Sequence, residues 1–217
     1  MPARAIATVG PPELGSFPAR PLPTGAVLHR ITLRLDPDGS VRKPWYFSAS
    51  GTPGSGRFDL LPPRGTCYFS DAKPGAFVEV FRRVGVIDRA DLARRRLFTA
   101  TRTGPALRLA DLRARRAARF GVTADLSAGD DYTISQPAAQ ALFRAGFAGV
   151  AGTIRHDPSL RLRNVAVFGR AGAFASQRGW QGRRVGLELD RELAAEVVAY
   201  GYAVVDIPYD VTTTDPS

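Results

Sequence analysis

The chain has 217 residues, 44% of them hydrophobic and 23% charged, with a formal net charge of +10 at pH 7. That length supports one substantial core or two small ones, and the composition is that of a folding chain rather than a disordered one. No run approaches the ~18 apolar residues of a membrane span, and the opening "MPARAIATVGPPELG" lacks the apolar core of a secretory signal, so a soluble cytoplasmic protein without a membrane partner is expected.

Residues 1–24 carry Pro2, Pro11, Pro12, Pro18, Pro21 and Pro23 with little periodicity and read as an extended or partly disordered arm. The domain proper then spans 25–210, and 211–217 form a short tail. In "AVLHRITLRL", Val27, Ile31, Leu33 and Leu35 alternate with Arg30, Thr32 and Arg34, as in a half-buried strand. "DPDG" turns the chain, "WYFSAS" is extended, and the glycine-rich "GTPGSG" leads into a short strand at "RFDLL". "PPRG" is a turn signal before a second strand, "TCYFS", so the two strands form a hairpin-like pair. Asp71 suits the cap of a helix running to about Arg83 with Pro74 in its first turn.

The middle reads as helical. "DRADLARRR" is a short helix, "LRLADLRARRAARF" an amphipathic one from about Leu107 to Gly121, and "YTISQPAAQALFRAGF" a third with Ser135 as cap and Gly146 as stop. Strands return at "LRNVAVFG" and "RVGLELD". A last helix, "DRELAAEVVAYG", is capped by Asp190 and ended by Gly201, before "YAVVDIP" as a closing strand. Strands at both ends around a helical middle favour a compact single-domain α+β fold over a regular alternating sheet.

The single cysteine, Cys67, excludes an intramolecular disulfide, and strand alternation puts it with Phe69 opposite Tyr68. It reads as a buried, inert thiol. With His29 and His156 it offers no cluster of metal-ligand spacing. The positive charge invites a nucleic-acid reading, but only Lys43 and Lys73 are lysines and the arginines are spread along the chain. The run Arg113–Arg119 fits a solvated helix face.

Three residues stand at equal spacing on successive elements. Arg57 follows the glycine-rich loop, where a planar guanidinium can grip a phosphate or carboxylate. Tyr68 shares the more polar strand face with Thr66 and Ser70 and could line a groove. Glu79 lies in the apolar run "GAFVEVF", where a carboxylate either pairs with a buried arginine or points into a cleft. Each also fits an ordinary surface or core role. "RHD" at Arg155–Asp157 is a secondary candidate. No P-loop ending, dinucleotide fingerprint or nucleophile elbow occurs.

Taken together, "LHRI", "GRFDLLPPRGTCYFS", "AFVEVF", "YTISQPAAQALFRAGFAGV" and "RHDPSLRLRNVAVFG" resemble the RES domain, the toxin half of many bacterial toxin–antitoxin pairs, over roughly residues 26–170. The resemblance implies a fold similar to ADP-ribosyltransferase toxins, with NAD as substrate and no further cofactor or metal. The nicotinamide–ribose bond would be cleaved by hydrolysis, phosphorolysis or ADP-ribosyl transfer to a protein target. It also implies a helix-turn-helix, Xre-like antitoxin as partner. The family's arginines fall on Arg30 and Arg57, its tyrosine on Tyr68 and its glutamate on Glu79.

On this basis Glu79 would stabilise the ribosyl cation, Arg30 and Arg57 would hold the pyrophosphate, and Tyr68 would position the nicotinamide ribose or ring. The family serine falls on Ile154 and a family tyrosine on Gly152, while His156 and Asp157 match. Either Thr153 or another residue supplies the hydroxyl of the catalytic set, with His156 among the NAD-binding residues, or the chain is a catalytically altered nucleotide-binding module. A basic nucleic-acid-binding protein is the third reading.

Overall fold

The computed structural model describes residues 6, 11–52, 55–81, 85–129, 132–157, 159–187, 193 and 198–206. In chain order its strands are β1 (Ala19–Leu22), β2 (Val27–Leu33), β3 (Trp45–Phe47), β4 (Arg64–Ser70), β5 (Val86–Asp88), β6 (Arg95–Arg102), β7 (Leu107–Asp111), β8 (Gly149–Thr153), β9 (Arg163–Arg170), β10 (Gly172–Phe174), β11 (Trp180–Gly186) and β12 (Ala203–Val205). Its helices are α1 (Pro11–Leu14), α2 (Lys73–Phe81), α3 (Arg89–Ala93), α4 (Ala124–Ala128) and α5 (Tyr132–Arg144). Eight strands form one sheet in the order β1-β7-β8-β9-β4-β2-β6-β11, and β10-β3 and β12-β5 make small ribbons. The fold is α+β, as expected.

Both faces of the sheet are covered. On one, α5 presents Ser135, Ala138, Ala139 and Leu142 at helical spacing to a core that includes Phe17, Phe58, Phe147 and Val150. On the other, Trp45, Phe47, Cys67, Phe69, Phe98, Val165 and Val167 form an aromatic-rich layer. A third cluster packs Ala76, Phe77 and Phe81 of α2 against Ile31 and Leu97. Strand alternation explains this division, with Cys67 and Phe69 on one side of β4 and Tyr68 on the other.

The large sheet contains a seam. β2 pairs with β6 along its whole length, and β4 pairs likewise with β9. Between β2 and β4 one pair, His29↔Ser70, forms the ladder. The sheet therefore opens between its β1-β7-β8-β9-β4 half and its β2-β6-β11 half, and α2 packs over the opening.

Several sequence expectations need correction. Residues 11–24 are part of the domain, because Leu14 and Phe17 are buried and β1 pairs with β7 at the sheet edge, where Pro21 is tolerated. The helix expected from Leu107 is β7 followed by a 3-10 turn at Arg115–Phe120. Leu109 and Ala110 are both buried, one on each sheet face, which a single amphipathic helix face cannot arrange. "DRADLARRR" is helical only over Arg89–Ala93, capped by Asp88, and then gives way to β6.

α5 begins before Ser135, which is buried inside it rather than capping it. "RFDLL" is turn-like with a single bridge, Ala49↔Leu60, rather than a hairpin strand. In "RVGLELD" the strand stops at Gly186. At the start of β2, Val27 is exposed and Leu28 is buried instead, since both sheet faces are covered, and Leu35 lies exposed beyond the end of the strand. At the turn into α2, Ser70 Oγ rather than Asp71 accepts a backbone N–H, that of Ala72 at 3.2 Å. The Asp190 cap, the end of that first long helix near Arg83 and the tail 211–217 lie outside the described residues.

Candidate active site at the sheet seam

A cleft of about 240 Å³ lies at the seam. β2 contributes His29, Arg30 and Ile31; the turn before β4 contributes Gly56, Arg57 and Phe58; β4 contributes Tyr68, Phe69 and Ser70. α2 adds Ala76, Glu79 and Val80, and the far wall is Tyr132, Thr153, Arg155, His156 and Asn164. All six residues singled out from the sequence, Arg30, Arg57, Tyr68, Glu79, Thr153 and His156, therefore border one cavity. Three arginines and two histidines surround one carboxylate, which suits an anionic ligand.

Glu79 reaches this position because α2 approaches the sheet closely at Gly75. A Cβ there would collide with Ser70 Oγ and lie 2.8 Å from Ile154 Cδ1. Glu79 stands one turn further along the same helix face.

The Arg57 turn is organised by Asp59, which sequence reasoning missed. Asp59 is 1% exposed. Its carboxylate accepts the Gly56 N–H (2.6 Å), the Ser48 hydroxyl (2.8 Å) and the Tyr68 hydroxyl (2.7 Å). Burial raises the Asp59 pKa despite these bonds. Tyr68 Oη also accepts the Phe58 N–H at 2.8 Å. Burial first, and then the Asp59 charge, push the Tyr68 pKa well above its usual value. The hydroxyl is thus engaged on the protein side, and the ring is what Tyr68 offers a ligand. The Arg57 guanidinium lies 5.8 Å from the centre of the Tyr132 ring, a cation–π arrangement.

Arg30 differs from expectation in its orientation. Its guanidinium donates to Tyr46 O at 3.2 Å and to Cys67 Sγ at 2.8 Å, because even-numbered β2 residues share the face of Cys67. Part of its donor capacity is therefore used away from Tyr68. Cys67 is fully buried, and burial raises its pKa, as fits an inert thiol.

In the "RHD" segment, Arg155 Nε donates to His156 Nε2 at 3.0 Å, and both residues line the cleft. Asp157 turns inward. It is fully buried and accepts from Ser159 N, Ser159 Oγ, Arg161 N and Leu162 N at 2.7–3.0 Å. Burial works to raise its pKa, but these four bonds outweigh that and hold it below 3.8. Asp157 fixes the turn that carries His156. Ile154, where the sequence resemblance puts the family serine, is fully buried and packs near Gly75 rather than lining the cleft.

His29, whose Nδ1 lies 3.2 Å from Thr99 Oγ1, Tyr132 and Asn164 are further polar lining residues to which the sequence reading gave no site role. Among the described residues no group of three or more His, Cys, Asp or Glu is placed to hold a metal. Nor is any helix among them long and apolar enough to cross a membrane.

The RES domain family model matches residues 27–188. No curated protein matches the chain. Among solved structures, one from the crystal structure of the M. tuberculosis MbcT–MbcA toxin–antitoxin complex aligns with a TM-score of 0.50 at 18% identity. The alignment covers 81% of this chain and 92% of that one. At that identity the likeness establishes the fold, and it agrees with the α+β architecture described above. The family match runs from β2 through β11 and takes in every residue of the cleft, so the chain belongs to the RES domain family.

Proposed function

We propose that the cleft binds NAD and breaks its nicotinamide–ribose bond, and that the chain acts as the toxin of a toxin–antitoxin pair. The observation that carries this reading is the convergence of Arg30, Arg57, Tyr68, Glu79, Thr153 and His156 on one basic cleft around a single glutamate. Family membership and the likeness to a structure from a toxin–antitoxin complex support it. A helix-turn-helix antitoxin is the corresponding partner.

The chemistry suits the residues. As the C–N bond breaks, nicotinamide takes the electron pair and leaves as a neutral ring, so no strong general acid is needed. Positive charge develops on the ribose, where the Glu79 carboxylate stabilises it. Water, phosphate or a protein nucleophile then bonds to the anomeric carbon, and when water attacks, its proton passes to solvent. Arg57 and Arg155 are the cleft guanidinium groups suited to the pyrophosphate, while Arg30 lines the cleft from β2 with part of its donor capacity held by Tyr46 O and Cys67 Sγ. The Tyr68 ring packs against the ribosyl–nicotinamide end; Thr153 borders the cleft but pairs with Arg163 on the sheet face opposite Tyr68, so its hydroxyl carries no part of this step. The test is nicotinamide release from NAD by purified protein, with Glu79→Gln abolishing turnover while the fold and NAD binding persist.

The buried Ile154 at the serine position favours a second reading, a nucleotide-binding module that has lost turnover. Calorimetric NAD binding with no nicotinamide released over hours would select it.

A further inference from the structure

We propose that Asn164 is a substrate-contacting residue of the cleft, its amide binding the ribosyl–nicotinamide end of NAD in place of the absent serine and tyrosine groups. This rests on the NAD reading above. In the sheet register Gly152 pairs with Asn164, and Asn164 with Ser70 on the other side. Paired residues share a face, so Asn164 stands on the Tyr68 side of the sheet, while Thr153 pairs with Arg163 on the alternate side.

Gly152 makes room for the amide. A Cβ on Gly152 would lie 2.6 Å from Asn164 Oδ1, so the side chain occupies the space that a larger residue at position 152 would take. The amide is also only partly committed. Nδ2 donates to Thr153 O at a long 3.4 Å, and the buried Oδ1 has no hydrogen-bond partner among the described residues. A buried acceptor left unmatched is costly, and a neutral amide can both accept from a ribose hydroxyl or carboxamide N–H and donate to a ribose or carboxamide oxygen. A weakly tethered amide on the cleft wall is therefore suited to turn onto a ligand that satisfies both ends.

The test is calorimetric NAD affinity of the full chain and of Asn164→Ala, Asn164→Asp and Gly152→Ala, read beside thermal melting. Gly152→Ala moves the amide while leaving Asn164 in place, because the atom in its way is the far end of a side chain. The expected result is NAD affinity weaker by about tenfold in Asn164→Ala and in Gly152→Ala. Asn164→Asp, which keeps an acceptor but loses the donor and adds charge, should not restore it. Affinity within about twofold of the unmutated chain in both Asn164→Ala and Gly152→Ala would overturn the assignment. If the unmutated chain itself neither binds nor consumes NAD, the NAD reading fails and takes this assignment with it. That failure is visible without any variant.

Discussion

Asp59→Ala probes the scaffold of the cleft at its most connected point. Asp59 is 1% exposed and takes three hydrogen bonds. Removing the carboxylate leaves the Gly56 N–H and the Tyr68 O–H without their acceptor, whereas the Ser48 hydroxyl still reaches Thr66 O at 3.2 Å. Each stranded buried donor costs about 1–3 kcal/mol, or roughly 2–6 together, and relief from burying a charge offsets part of that, leaving about 2–4 kcal/mol. For a chain of this size each kcal/mol lowers Tm by about 2–4 °C, so differential scanning calorimetry should show a fall of roughly 5–15 °C.

Asp59→Asn adds a pH signature. The folded chain holds the Asp59 proton more tightly than the unfolded chain, because burial raises its pKa. The stability linked to this group is complete below the usual carboxylate value of 3.8 and is lost as pH rises through the raised folded value. The wild-type Tm should therefore gain on that of Asp59→Asn as pH falls towards that range. An unchanged Tm in Asp59→Ala, with a pH-independent difference in Asp59→Asn, would refute the clamp.

Gly75→Ala should cost about 1–3 kcal/mol, because its Cβ meets Ser70 Oγ and Ile154 and pushes α2 outward; urea unfolding measures the cost, and NAD turnover should fall with it as Glu79 moves. Asp157→Asn should cost about 1–3 kcal/mol at neutral pH. Its carboxyl is held below the usual 3.8, so its stabilisation is complete above that value and is lost as pH falls through the lower folded one. Acid titration of Tm should show the two proteins converging there.

Local signals gave much of the site. The glycine-rich loop before Arg57, the polar face of Tyr68 and the lone carboxylate of Glu79 in an apolar run were each readable, and the family resemblance joined them. Their convergence was not readable from spacing, because it depends on the β2–β4 seam, a product of long-range pairing. Asp59 escaped notice since nothing in "GRFD" signals that its carboxylate folds back onto Gly56 and Tyr68.

The helical period of "LRLADLRARRAARF" misled for a physical reason. Leu109 and Ala110 satisfy a helix pattern, yet they are buried on opposite faces of a central strand, and such strands lose their period-2 signature. "GVAGT" and "RRLFTATR" went unread as β8 and β6 on similar grounds. Arg96 and Arg102 are nearly buried inside a strand, where charge normally argues for the surface.

The most direct test of the central claim is nicotinamide release from NAD by the purified chain, measured beside the Glu79→Gln variant. The account expects NAD to be consumed by the unmutated chain. In Glu79→Gln it expects turnover lowered at least about a hundredfold, the loss of roughly 2.7 kcal/mol or more of transition-state stabilisation, with Tm and NAD binding retained. Equal turnover in the two proteins, or none in the unmutated chain under conditions where it binds NAD, would contradict it.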